Sequence, residues 1–275
     1  MEEFLKESPL LPRFMVTVDG DGVQNACRGY MDLELHFNCE DPSNDLFIQE
    51  IQIPGQSNNT VPGKACAFLS NEVIYETTGK AAHSSAPENG VNALFSLANL
   101  LYGEMMDSYP DFFELMDLLK GKLPANSLGF AEETDVCPTN LSVADGTLTV
   151  NLNIRLGYSE NRQHVLDVIK SIEKRFHCKA EIKEITMPAY VPANSEEIQN
   201  MCYAYEAILG KPIKPTQARG VGYNAALPNC AIFGPRFAPE DDEEDLCHCA
   251  DENRRIADLM SLYDMLKIFI SLTCS

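Results

Sequence analysis

Gly79-Lys80-Ala81-Ala82-His83-Ser84-Ser85-Ala86-Pro87-Glu88-Asn89-Gly90-Val91-Asn92-Ala93 lies between two segments of opposite character. Before it, Val73-Ile74-Tyr75-Glu76-Thr77-Thr78 is rich in β-formers and reads as a strand. After it, Leu94, Leu97, Ala98 and Leu101 recur at the i, i+3, i+4, i+7 spacing of one buried helix face. Small and turn-forming residues hold a histidine between the two, and Pro87 with Glu88 suits a helix start. A strand–loop–helix unit of this kind holds an imidazole at a fixed point with one nitrogen turned outward. Taken alone, His83 reads as a solvent-facing loop histidine.

On the N-terminal side, the extended run Phe14-Met15-Val16-Thr17-Val18 ends in the acidic turn Asp19-Gly20-Asp21-Gly22. Met31, Leu33, Leu35 and Phe37 then alternate with Tyr30, Asp32, Glu34 and His36, a strand with one apolar and one polar face. This places His36 on the solvated side. Residues 54–63 form a polar loop.

On the C-terminal side, a helical region around residues 110–120 precedes a predicted loop containing Pro124 and Pro138. A second alternating strand sets Leu148, Val150, Leu152 and Ile154 against Thr149, Asn151, Asn153 and Arg155, so Arg155 lies in line with two asparagines. Ser159 is the predicted N-cap of a helix burying Val165, Val168, Ile169, Ile172 and Phe176. A strand around Ala180, Ile182 and Ile185 follows. His164 and His177 fall at helix edges, as surface positions. The order of elements predicts helices on one face of an antiparallel sheet.

Met187-Pro188-Ala189-Tyr190-Val191-Pro192 reads as a crossover. Beyond it, Ser195 starts a helix that stops at Gly210. A short apolar strand, Cys230-Ala231-Ile232-Phe233, an acidic loop and a long C-terminal helix complete the chain. This is the tail of an α/β sheet with too few strands to be whole.

The bulk properties narrow the function. Net charge is −20, from 41 acidic against 21 basic residues, which repels a phosphate backbone and excludes a nucleic-acid partner. No apolar run reaches the roughly 18–20 residues of a membrane span. Met1-Glu2-Glu3-Phe4-Leu5-Lys6 lacks the basic start and apolar centre of a signal peptide, so a cytoplasmic chain is expected. The ten scattered cysteines then read as reduced thiols. Cys247-His248-Cys249 has no second Cys/His pair at zinc-finger spacing.

Five stretches together resemble the di-zinc metallopeptidase family of bacterial Xaa-His and other dipeptidases, carnosinases, aminoacylases and succinyl-diaminopimelate desuccinylases. The likeness is nearest to the monomeric bacterial dipeptidases. The stretches are Thr17-Val18-Asp19-Gly20-Asp21; Asn59-Thr60-Val61-Pro62; Gly79 to Ala93; Gly146 to Arg155; and Ala226-Leu227-Pro228-Asn229 through Asp245-Leu246-Cys247-His248.

The resemblance implies an α/β protein. A ferredoxin-like α+β lid domain would span residues 29–188, and residues 1–28 with 189–275 would form the C-terminal part of a zinc-peptidase catalytic domain. It implies that Asp19 binds one zinc and His248 the other. His83 would be the lid histidine that polarises the scissile carbonyl, and Asn59 a lid residue that helps bind substrate. Arg155 would grip the free carboxylate of a dipeptide, a task suited to a planar, bidentate donor. Gly220 belongs to a loop that helps seat that carboxylate.

The sequence also departs from the family. No His-x-Asp occurs in it, and Met1 to Asp19 matches the family just beyond its catalytic glutamate pair. Gly220-Val221-Gly222-Tyr223-Asn224-Ala225 stands where the dipeptidases read Gly-Gly-Thr-Tyr-Ala-Arg, so an arginine has become Ala225. Cys27 stands where a glutamate is common. The expectation is a zinc-dependent dipeptidase whose isolated chain is inactive and which pairs with a separately encoded N-terminal half or with a second copy of itself. The alternative is a non-catalytic remnant acting as a peptide-binding or interaction module.

Overall fold

The strands in chain order are β1 (Met15–Thr17), β2 (Val23–Cys27), β3 (Tyr30–Asn38), β4 (Ile48–Gln52), β5 (Thr60–Val61), β6 (Lys64–Leu69), β7 (Ile74–Thr78), β8 (Ala82–His83), β9 (Asp135–Ala144), β10 (Thr147–Arg155), β11 (Lys179–Thr186), β12 (Ala189–Tyr190), β13 (Thr216–Ala218) and β14 (Cys230–Phe233). The helices are α1 (Ala93–Met105), α2 (Pro110–Leu119), α3 (Pro124–Leu128), α4 (Arg162–Arg175), α5 (Glu196–Leu209) and α6 (Ile256–Thr273). The computed structural model describes residues 13–18, 20–40, 45–55, 57–121, 123–218, 222–227, 229–235 and 253–274. The chain divides into two units, Tyr30–Met187 and the pair of segments Met1–Gly29 and Pro188–Ser275.

In the central unit the two alternating strands pair with each other. The sheet order is β11-β3-β10-β9, antiparallel throughout. Leu33 faces Leu152 and Leu35 faces Val150 across β3 and β10. All four are fully buried, in one core with Leu97 and Leu101 of α1, Phe112 of α2 and Ile169 of α4. Each such side chain contributes roughly 1.5–3 kcal/mol by leaving water, so the sheet's apolar face is what holds the helices. The second face carries Tyr30, Asp32, Glu34 and His36 beside Arg155, Asn153, Asn151 and Thr149.

Four local readings change, and the first is that Pro124, read in a loop, starts α3. Pro138 lies inside β9, opposite Leu152, where the β9–β10 register shifts. β9 is the last strand in the sheet order, and an edge bulge is where a residue without an N–H is tolerated. Ser159 does not cap α4: Asn161 does, its side chain accepting from the His164 N–H at 3.0 Å. Ser159 instead donates to Glu133. Pro87 and Glu88 start a short 3-10 turn ending at Asn89, and α1 begins after Asn92, whose side chain accepts from the Leu94 N–H.

The Gly79–Ala93 stretch is a loop closed at its base. Lys80 and Val91 exchange both backbone hydrogen bonds at 2.8 Å, and the Gly79 N–H donates to Gly63. A Cβ on Gly79 would stand 2.0 Å from the Val91 oxygen, and one on Gly90 would stand 2.9 Å from Ala82 Cβ and from the Lys80 oxygen. Glycine is required at both ends because the two backbones touch. Above this base, β8 pairs with β5, Thr60 opposite His83.

In the other unit, β1 runs parallel to β14, and the order continues through β2 to β12, with β13 also on β2. α5 and α6 bury Ile198, Met201, Leu262, Met265 and Phe269 against Val23, Ala231 and Phe233. Ser195 caps α5, and Gly210 ends it at φ +68°, the left-handed conformation glycine reaches without strain. No helix among the described residues is long and apolar enough to cross a membrane.

Candidate active site

Three of the predicted site residues, Asn59, His83 and Arg155, lie in the central unit and are brought together by β5, β8 and β10. The other three, Asp19, Gly220 and His248, lie outside the described residues.

His83 is exposed at the end of β8. The Ser85 backbone N–H donates to its Nδ1 at 3.1 Å, and Ser85 Oγ lies 2.7 Å from the same nitrogen. A backbone N–H can only donate, so Nδ1 is the lone-pair nitrogen and the neutral ring carries its proton on Nε2. The small residues after His83 thus do more than let the chain turn: they select the tautomer.

Asn59 precedes β5. Its Oδ1 accepts from Ser57 and Thr60 hydroxyls, which leaves the Nδ2 end of the amide as its outward donor. Its backbone oxygen accepts from the Ser84 N–H at 2.8 Å, locking the Asn59 and His83 segments side by side.

Arg155 ends β10 and is 8% exposed. Its guanidinium lies 5.0 Å from the Tyr30 ring centroid and donates to Ser84 Oγ at 3.3 Å. Alternation along β8 therefore turns Ser84 down onto Arg155 and leaves His83 on the outer side. Burial, with the negative charges of Asp32 and Glu184 adding, pushes the Tyr30 phenol up, so the ring under Arg155 stays neutral. The patch is built of donors: an amide nitrogen and an imidazole N–H on its outer side, and the buried Arg155 guanidinium beneath Ser84. Such a set suits a carboxylate and a polarised carbonyl oxygen.

Sequence reading missed Asn58, Ser84 and the depth of Asp32 and Asn153. Asn58 Nδ2 donates to Asp32 Oδ2 at 2.7 Å, and Asn153 Nδ2 donates to the Asn58 oxygen at 2.8 Å. Asn151, the second asparagine in line with Arg155, accepts from Thr139 at 2.8 Å. His36, read as solvated, is half-buried, with Nδ1 on the Thr149 hydroxyl.

Among the described residues one group has the donor types and closeness to hold a metal ion: Glu34, His36 and Glu181. Lys183 already sits in it, 3.0 Å from Glu181 and 3.4 Å from Glu34, and holds the Glu181 carboxyl below its ordinary range. That arrangement is a surface ion-pair network with its own resident cation. None of the three is a residue that the resemblance assigns to zinc. The described cysteines are free thiols. His164 bonds the buried Glu160 at 2.6 Å, and Glu160 in turn accepts from the Ala131 N–H, so this histidine braces the 131–134 turn.

No protein-family model matches the chain. An uncharacterized metallohydrolase of Methanocaldococcus jannaschii is 25% identical over 224 residues, covering 71% of this chain and 51% of its own length. The putative dipeptidase YtjP of Bacillus subtilis is 25% identical over 235 residues, covering 80% of this chain and 48% of its own length. The chain thus spans about half the length of the curated relatives it matches. Among solved structures, the aminoacylhistidine dipeptidase of Vibrio alginolyticus superposes with a TM-score of 0.55 at 13% identity, over 96% of this chain and 66% of that one. At that identity the likeness is one of fold. In sequence the chain is similar to a metallohydrolase and to a putative dipeptidase, and in fold to a dipeptidase, which agrees with the resemblance its motifs carry.

Proposed function

We propose that this chain carries the substrate-binding part of a metal-dependent dipeptidase. The observation that supports it most is the donor patch built by β5, β8 and β10. In this reading Arg155 takes the free C-terminal carboxylate of a dipeptide. The Nε2–H of His83 and the Nδ2 of Asn59 donate to the peptide carbonyl oxygen as negative charge develops on it. Gly220 lines the carboxylate end. Zinc is the metal, with Asp19 and His248 as the ligands this chain offers. Residues 29–188 are the lid and residues 1–28 with 189–275 belong to the catalytic domain, in the cytoplasm. No His-x-Asp occurs in these residues, so hydrolysis calls on an N-terminal half that supplies one.

Calorimetric titration with alanyl-alanine and with its C-terminal amide tests the binding step. The acid should bind at least tenfold more tightly than the amide, and Arg155→Lys should remove most of that difference, because lysine cannot reproduce the guanidinium fork. Equal affinities for acid and amide would overturn the reading. Addition of zinc and a candidate N-terminal half should then release free amino acids.

The second reading, a non-catalytic peptide-binding module, draws on Ala225 standing where the family has arginine. It expects dipeptide binding that persists in every reconstitution without hydrolysis.

A further inference from the structure

Asp32 and Asn153 face each other across β3 and β10 and are 4% and 1% exposed. Both hold Asn58, one by its side-chain nitrogen and the other by its backbone oxygen. Each also keeps one buried oxygen, Oδ1 in both cases, without a hydrogen-bond partner. Burial without a partner makes each of these oxygens costly to the fold. The chain carries a buried carboxylate at the point where it grips the residue before Asn59. Buried polar groups left incompletely paired are where stability has been set aside for another demand.

We propose that Asp32 and Asn153 form a socket for Asn58 and act as positioning residues for Asn59 and His83. The path is short. Asn58 fixes Asn59, whose oxygen accepts from the Ser84 N–H, and Thr60 pairs with His83. Arg155 holds the same unit from the other side through Ser84. A carboxyl group suits the socket because its Oδ2 accepts from the Asn58 amide at 2.7 Å. This inference rests on the substrate-binding reading of Asn59 and His83.

Amide hydrogen exchange at Ser84, measured by NMR on the full chain, tests the socket. Asp32→Ala and Asn58→Ala should each speed Ser84 exchange at least tenfold while Leu35 and Val150, in the sheet core, change less than twofold. Asn58 is exposed, so its variant folds even if Asp32→Ala does not. Asp32→Asn should restore Ser84 to within about threefold of the parent, since an amide oxygen still accepts from Asn58. The 15N signature of the His83 ring should show the Nε2–H tautomer in the parent and Asp32→Asn, and a tautomer mixture in Asn58→Ala. Unchanged Ser84 exchange in both alanine variants would overturn the socket, as would an Asp32→Asn variant no better than Asp32→Ala. Alanyl-alanine binding is read separately. A parent that binds no dipeptide defeats the substrate reading while the exchange comparison still decides the socket. Binding with unmoved exchange defeats the socket alone.

Discussion

Asp32 shows how a residue's meaning changes with what covers it. Alternation along β3 puts it on the polar face, and that much is legible in sequence. Whether a polar face meets water or another segment depends on contacts from far along the chain. Asn58 reaches Asp32 across 26 positions, Asn153 reaches Asn58 across 95, and Arg155 reaches Ser84 across 71. Motif resemblance singled out Asn59, His83 and Arg155, and the fold sets these three near one another, because each belongs to a stretch that can be compared in sequence. It could not find Asn58 or Ser84, whose roles exist only once the loops have docked. One stability consequence belongs at this scale. Asp32→Asn keeps an oxygen that accepts from Asn58, whereas Asp32→Ala removes it, so the alanine variant should lose about 1–3 kcal/mol of unfolding free energy in urea relative to the asparagine variant. Equal stability of the two variants would contradict the bond to Asn58.

At the scale of elements, period and punctuation carried most of the reading. The apolar alternation of β3 and β10 and the spacing in α1 and α4 match the buried faces observed. Start signals were less dependable, because Ser159 and Asn161 both have side chains able to cap and tertiary partners decided between them: Glu133 holds Ser159. Pro138 was read as a loop residue because proline removes a ladder donor, and the bulge that accommodates it has no local signature. The Gly79–Ala93 loop shows the opposite case, where small residues mark a close approach. Gly79→Ala should destabilise the chain by about 3 kcal/mol, since its methyl group would force Lys80 and Val91 apart. Chemical denaturation of this variant, with Gly103→Ala as the control beside open space, checks it.

For the whole molecule, buried acids set the behaviour at high pH. Burial pushes the Cys137 thiol and the Tyr109 phenol up to about 12. The ordinary values are about 8.5 and 10. As pH rises above them, the unfolded chain gives up these protons while the folded chain keeps them. Stability is therefore fully present below about pH 8.5 and falls toward pH 12, by at most about 1.4 kcal/mol per pH unit for each group. Urea midpoints at pH 7.5 and 10.5 should show the loss, and Cys137→Ala should recover part of it. A flat profile would contradict the burial of both groups.

The β5–β8 pair is joined to its sheet by amide, carboxylate, hydroxyl and guanidinium contacts, with Val61 its buried apolar side chain. Lifting it away therefore exposes little apolar surface, and the heat capacity and denaturant sensitivity of that motion are small. Ser84 exchange should hold nearly constant through low urea concentrations that accelerate Leu35, marking an opening separate from global unfolding. Cooling, which loosens apolar cores, leaves such a joint intact. The segment bearing His83 should therefore open with a free energy of its own, set by those polar contacts and distinct from that of the whole fold.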